Sequence, residues 1–270
     1  MSVFTEWTAD DAAQHIAVPS THDDKYTRGV LGVITGSEHY PGAAVLSVEA
    51  ALRTGVGMVR FLGPHTPSQL VLHRRPEAVT APGRVQAWLM GSGMDPLDRD
   101  VSSMDEALAQ GLPTVLDGGA LDLRDRTSGP VVITPHYREL ARVVHTDPAT
   151  VAADPEFWAQ SAADDLGVTV LLKGHTTFVA GDGITLSVRS APPWLATAGA
   201  GDALAGILGA LVATHAQRIV DDPAHLARLA ATASLLHGLA ADRASAGGPL
   251  TVLDLCASIP AVIAGLLSPH

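Results

Sequence analysis

The stretch Gly199-Ala200-Gly201-Asp202-Ala203-Leu204-Ala205-Gly206 places a carboxylate directly after two closely spaced glycines and ahead of an apolar run. Glycines one residue apart permit a tight backbone turn, and the run that follows has the composition of a helix starting there. A helix start of this kind aims unpaired amide N–H groups and the positive end of the helix dipole at one point, where an anion can sit. A carboxylate beside such a point can take a proton from a hydroxyl that attacks a phosphoryl group. Asp202 is therefore the candidate base, with Gly199, Ala200 and Gly201 as the candidate anion hole. Taken alone, the same residues are read more readily as a helix cap after a glycine turn, since short glycine motifs recur by accident.

Lysine usage supplies a second pointer. Fifteen of the 17 basic residues are arginine, and only Lys25 and Lys173 are lysine. Lys173 opens the polar turn Lys173-Gly174-His175-Thr176-Thr177 directly after an apolar run, a setting that favours a nucleotide contact over a hairpin connection. Lys25 has no such setting and reads as well as a solvated surface charge.

These residues need a scaffold that brings them to one place. Residues 30–35 are β-branched and almost wholly apolar, as in a strand buried on both faces, and Gly36-Ser37 ends them. Pro41 near the start, Arg53 in the last turn and Gly55 beyond it punctuate a helix. The small residues Ala43 and Ala44 at its start leave room for a crevice at the carboxyl edge of a sheet, although small residues also serve helix packing. Residues 58–62 read as the next strand, closing a β-α-β unit with a parallel pair.

Further strands at 88–90, 113–116, 131–133 and 168–172 each finish in a polar or glycine-rich turn. Those turns are Gly91-Ser92-Gly93, Asp117-Gly118-Gly119, Thr134-Pro135-His136 and Lys173-Gly174-His175. If the strands lie parallel, all these turns fall on one edge and form one site. Helices are expected over 66–73, 101–110, 137–144, 155–166, 203–214, 224–241 and 252–267. Gly181-Asp182-Gly183 has the composition of a hairpin turn between strands at 177–180 and 184–188, which would append an antiparallel edge. Residues 1–24 form a polar lead-in, irregular or briefly helical, and 25–270 form the domain.

Composition narrows the function. With 17 basic and 28 acidic residues the net charge is −11, so nucleic acid and anionic membrane are not expected partners. An anionic small molecule would need local donors or a metal ion. The single cysteine, Cys256, excludes an intrachain disulfide and a Cys-rich zinc site, and it reads as a small buried apolar residue. The N-terminus does not resemble a signal peptide, and no stretch is apolar enough to span a membrane, which makes the cytoplasm the expected address.

Four motifs in this order resemble one family. Tyr40-Pro41-Gly42-Ala43-Ala44, Thr134-Pro135-His136, Leu172-Lys173-Gly174-His175-Thr176 and the Gly199 to Gly206 stretch are similar to those of ADP-dependent NAD(P)H-hydrate dehydratases of the ribokinase-like superfamily. The likeness runs from about Lys25 to the C-terminus. It implies an α/β three-layer sandwich with a central, mainly parallel sheet flanked by helices. It also implies repair of hydrated NADH and NADPH, by phosphorylation of the ring hydroxyl and elimination of phosphate.

By the same resemblance Ala43, Gly91, Gly93, His136 and Asp202 line the hydrate site, and Lys173, Gly174, His175, Thr176, Thr177 and Gly201 hold the adenine nucleotide. ADP, with ATP as an alternative, is the implied phosphoryl donor, Mg2+ its companion, and a homo-oligomer, a tetramer included, the assembly. Many relatives carry an N-terminal epimerase domain, so a separate NAD(P)H-hydrate epimerase is the implied functional partner. The chain departs from the family pattern with Ser92 in place of proline and with Asp95, Arg138 and Ala198 in place of glycines. Two other readings share the Gly-x-Gly-Asp stretch: a ribokinase-like kinase of a vitamin precursor or sugar, and a catalytically silent nucleotide-binding module.

Overall fold

The computed structural model describes residues 3–97 and 99–268. Its strands are β1 (Thr5–Glu6), β2 (Val30–Ile34), β3 (Met58–Phe61), β4 (Ala87–Met90), β5 (Thr114–Leu116), β6 (Val131–Ile133), β7 (Thr169–Leu172), β8 (Thr177–Gly181) and β9 (Ile184–Val188). The helices are α1 (Ala9–Ala13), α2 (Pro41–Thr54), α3 (His65–Arg74), α4 (Val101–Leu108), α5 (Tyr137–Val143), α6 (Pro148–Ala153), α7 (Pro155–Leu166), α8 (Ala200–Thr214), α9 (Ala216–Asp221), α10 (His225–Ser245) and α11 (Val252–Leu267).

The strands form one sheet in the order β1-β9-β8-β7-β6-β5-β4-β2-β3. From β3 to β7 every pairing is parallel, with Leu31 opposite Ala87, Trp88 opposite Thr114 and Val115 opposite Val132. The five strand ends expected to share an edge therefore do so. The hairpin β8–β9 adds the antiparallel part, and its two-residue turn has Asp182 at φ 49° and Gly183 at φ 74°, the left-handed pair of a type I′ turn.

Strand residues alternate between two cores. Leu31, Val33, Leu89 and Val115 pack with α2, α8, α10 and α11, while Val30, Ile34, Trp88, Met90 and Leu116 pack with α4, α5 and α7 on the other face. All five residues of β2 are buried, which is why its sequence carries no polar alternation. Each large side chain so buried contributes about 1.5–3 kcal/mol. The result is the three-layer sandwich that the family resemblance implies.

Differences lie in short elements. The lead-in contains α1 but also β1, which extends the sheet by pairing with β9 through Thr5 and Leu186. Helices α6 and α9 and a 3-10 helix over Gly118–Arg126 were not expected; the first two, of six residues each, are too short for a helical period to stand out, and a 3-10 helix does not follow the 3.6-residue period. Helix α8 begins at Ala200, before the expected 203, so Asp202 lies inside its first turn.

On the far side of α2, the fully buried Glu49 accepts hydrogen bonds from Arg53 of the same helix and from Arg74 and Arg75 at the end of α3. Burial pushes this carboxyl up, but the three guanidinium groups hold it at about 2. Cys256 is buried and free, its thiol pushed up to about 12 by burial.

Candidate active site

Helix α8 starts from Gly199, whose φ of 90° is a left-handed conformation that side-chain-bearing residues enter with strain. A Cβ there would also stand 2.5 Å from the Leu46 side chain of α2. No side chain caps this helix, so Asp202 is not its N-cap. The Ala200 N–H donates to the Thr197 carbonyl at 3.4 Å, and the Gly201 N–H meets no acceptor among the described residues. Of the three amides of the expected anion hole, those of Gly199 and Gly201 donate to no acceptor among the described residues.

The Asp202 side chain is half-buried and makes no hydrogen bond or ion pair among the described residues. Burial, with the Asp117 charge adding to it and Lys173 opposing it, raises its carboxyl to about 6. A free carboxylate that titrates near neutrality is suited to general base work.

Asp117, the residue after β5, belongs to one of the turns expected to form the site but had no role of its own there; it is 4% exposed. Its Oδ1 accepts from the Thr134 hydroxyl at 2.6 Å and from the Lys173 ammonium at 2.9 Å. Its Oδ2 accepts from the Ser92 hydroxyl at 2.8 Å. One carboxylate thereby ties the ends of β4, β5, β6 and β7 together, and the serine that departs from the family pattern is one of its three donors. Burial would raise Asp117, but Lys173 and these hydroxyls hold it below the usual carboxylate range. The sequence signal was an acidic residue closing an otherwise apolar strand.

Burial would lower the Lys173 ammonium, and the carboxylates of Asp117, Glu139 and Asp202 hold it above an ordinary lysine instead. Its Nζ is 4.0 Å from Glu139 and would be 3.4 Å from a Cβ placed on Gly201. The rare lysine and the glycine turn therefore meet.

A cavity of about 610 Å³, large enough for a nucleotide-sized ligand, opens over this turn. Lys173, Gly174, His175, Thr177 and Gly201 line it, with His136 and Ala200. Thr176, Gly199 and Asp202 are not in its lining; Asp202 follows directly on Gly201, which is. From α10 it is also lined by Ser234 and His237, which the sequence reading left among residues that merely cover the sheet. The only sequence signal for His237 is a polar residue in an apolar run. Its Nε2 is buried without a hydrogen-bond partner among the described residues, and burial, opposed by a hydrogen bond with the Ala200 backbone, lowers the ring to about 4, so it is a neutral imidazole at neutral pH.

His136 caps α5: its Nδ1 accepts from the Glu139 N–H at 3.1 Å, and its own N–H donates to Glu139 Oε2 at 2.9 Å. The ring is half exposed at the cavity. Ala43, Gly91 and Gly93 lie outside that lining, on the β2–β4 side of Asp117. There a Cβ on Gly93, whose φ is 67°, would fall 2.3 Å from the Ala43 Cβ. Gly91, at the end of β4, donates to the Ile34 carbonyl at 3.1 Å. Of the other departures, Arg138 and Ala198 are exposed, and Asp95 accepts from the Leu97 N–H.

A parallel sheet whose strand ends carry a glycine-turn helix start, a free carboxylate and a lysine defines an α/β protein built to handle a phosphorylated ligand. The family model of NAD(P)H-hydrate dehydratases matches residues 31–259, and the chain belongs to that family. It is 41% identical over 218 residues to the bifunctional NAD(P)H-hydrate repair enzyme of Mycobacterium leprae, covering 76% of this chain and 45% of that one. It is 34% identical over 222 residues to the ADP-dependent (S)-NAD(P)H-hydrate dehydratase of Xanthomonas campestris pv. campestris, covering 73% and 76%. The crystal structure of the ADP/ATP-dependent NAD(P)H-hydrate dehydratase of Bacillus subtilis, co-crystallized with ATP and Mg2+, matches with a TM-score of 0.87 at 25% identity over 97% of this chain and 99% of that one.

The chain spans about half the length of the mycobacterial relative. Its fold is ribokinase-like. No helix among the described residues is long and apolar enough to cross a membrane.

Proposed function

We propose that the chain dehydrates hydrated NADH and NADPH, with ADP or alternatively ATP as phosphoryl donor. The observation that carries this reading is Asp202: an unpaired carboxylate held at about 6, on the glycine turn that also meets Lys173 at the cavity. In the reaction the ring hydroxyl of the hydrate gives its proton to Asp202 as its oxygen bonds the terminal phosphorus of the nucleotide. The phosphorus–oxygen bond to the rest of the nucleotide breaks, and with ADP this leaves AMP. The Gly201 N–H and the Lys173 ammonium supply donors for the charge on the transferring group.

Phosphate then departs from the ring carbon with the bonding electron pair, the neighbouring carbon loses a proton, and the dihydronicotinamide is restored. Hydroxide is a poor leaving group and phosphate a far better one, which is the reason a nucleotide is consumed at all. His136 at the cavity and the Ala43–Gly93 contact flank the path for the hydrate. Lys173, Gly174, His175, Thr176 and Thr177 are assigned to the nucleotide.

Magnesium enters this reading with the nucleotide. Among the described residues no three His, Cys, Asp or Glu side chains gather into a metal cage, so the nucleotide phosphates would supply part of its ligands. Relatives named as bifunctional repair enzymes support a functional pairing with an NAD(P)H-hydrate epimerase. Self-association into a homo-oligomer is part of the same proposal, and light scattering tests it.

The deciding experiment mixes the protein with NADH hydrate and ADP and follows the near-ultraviolet absorbance of restored dihydronicotinamide. Recovery is expected with release of phosphate and AMP. No recovery rejects the reading, and a phosphorylated product that accumulates would make the protein a kinase instead.

A further inference from the structure

Lys173 stands among three carboxylates and can give its strongest hydrogen bond to only some of them. It gives it to Asp117, at 2.9 Å, and lies 4.0 Å from Glu139. Yet its Nζ is also close to the turn that carries Asp202, since a Cβ on Gly201 would stand 3.4 Å from it. Asp117 is oriented for this role from two sides, by the Thr134 hydroxyl on Oδ1 and the Ser92 hydroxyl on Oδ2. A buried carboxylate with three donors from three neighbouring strand ends is fixed in place, whereas a lysine is a flexible point charge that follows its best partner.

We infer that Asp117 is a positioning residue for the proton-transfer step: it holds the Lys173 ammonium away from Asp202, so that Asp202 keeps a free carboxylate for the hydroxyl proton. The inference rests on the reading of Asp202 as the base. The charged groups that bear on Asp202 are Asp117 from the end of β5 and Lys173 from the end of β7. Glu139 of α5 acts on the same lysine, whose charge in turn helps to keep His237 of α10 neutral, and His136 faces Glu139.

Without the Asp117 charge the lysine turns to the nearest remaining carboxylates, Asp202 among them. A lysine-paired Asp202 would be a weaker base with its lone pairs already engaged, and turnover falls for both reasons.

The test is the pH dependence of kcat/KM in purified Asp117→Asn, Lys173→Met and the double variant, with Asp202→Asn run alongside. In Asp117→Asn the acid limb is expected to move below that of the wild type by roughly 1–3 pH units, and kcat to fall more than about tenfold. Removing the lysine as well returns the limb toward the wild-type position, whatever the remaining turnover.

A limb that stays in place in Asp117→Asn overturns the inference, because a residue that only braced the fold would lower the amount of active protein without moving it. Should Asp117→Asn fail to fold, Lys173→Met alone decides. There the Asp117 charge faces Asp202 without its counter-ion, the limb moves to higher pH, and a limb that stays or falls overturns the inference. Asp202→Asn separates the two layers: wild-type turnover in that variant removes the base reading itself, whereas its loss beside an unmoved Asp117→Asn limb removes only the role of Asp117.

Discussion

The Lys173 ammonium bonds Asp117 at 2.9 Å, and Asp202 on the opposite, helical side of the site has no partner among the described residues. Two carboxylates of the same chemistry thus have opposite ionisation tendencies, one held below its usual range and the other raised to about 6. A pair of acids whose environments push them apart divides structural and proton-accepting roles between them.

The first consequence concerns rate. A base must be ionised to work, so kcat/KM is expected to be flat above about pH 7 on this limb and to fall as pH drops through about 6. Asp202→Asn is expected to lower turnover by about 10²–10⁴-fold with an unchanged far-ultraviolet circular dichroism spectrum. Steady-state kinetics across pH checks both.

The same carboxylate weakens the fold. Its native pKa is above the unfolded value of 3.8, so the native state binds the extra proton and the associated stability is full below about 3.8 and lost as pH rises through 6. At pH 7.5 Asp202→Asn should therefore be more stable than the parent by about 1–2 kcal/mol, and the difference should vanish near pH 4. Urea unfolding at the two pH values measures it.

His136 has two duties that substitutions can separate. As the cap of α5 it can be replaced by asparagine at little cost, whereas His136→Ala should lose about 1 kcal/mol. If the ring also contacts the hydrate, KM for the hydrate rises in both variants. Equal KM values in His136→Asn and the wild type would reduce His136 to a cap.

His237 should make the protein acid-sensitive. Burial holds its ring at about 4, below the ordinary value of 6.5, so its contribution is present above 6.5 and lost as pH falls toward 4. Between pH 7 and 4.5 the wild type is expected to lose about 2 kcal/mol more than His237→Gln. Matched chemical unfolding curves at the two pH values provide the check.

Much of the fold was legible because local rules sufficed. The apolar run of β2 required burial on both faces, the Pro41 and Gly55 signals bounded α2, and Asp182-Gly183 fixed a hairpin. The short elements were not legible: two residues of β1 gain their place only from the edge of β9. Nor could Asp117 and His237 be singled out, since a polar residue at a strand end or in a helix has no chemistry until its neighbours are known.

What the sequence determined by itself was a local geometry: glycines at 199 and 201 that only a tight turn can use, a carboxylate one residue later, and apolar strands ending in polar turns. Which carboxylate would be paired and which left free was decided only by the tertiary structure. The ends of β4, β5, β6 and β7 are up to 82 residues apart in the chain, and only their parallel packing brings Ser92, Asp117, Thr134 and Lys173 within hydrogen-bond reach. A charge takes its ionisation from neighbours within a few ångströms, and chain order does not specify those neighbours.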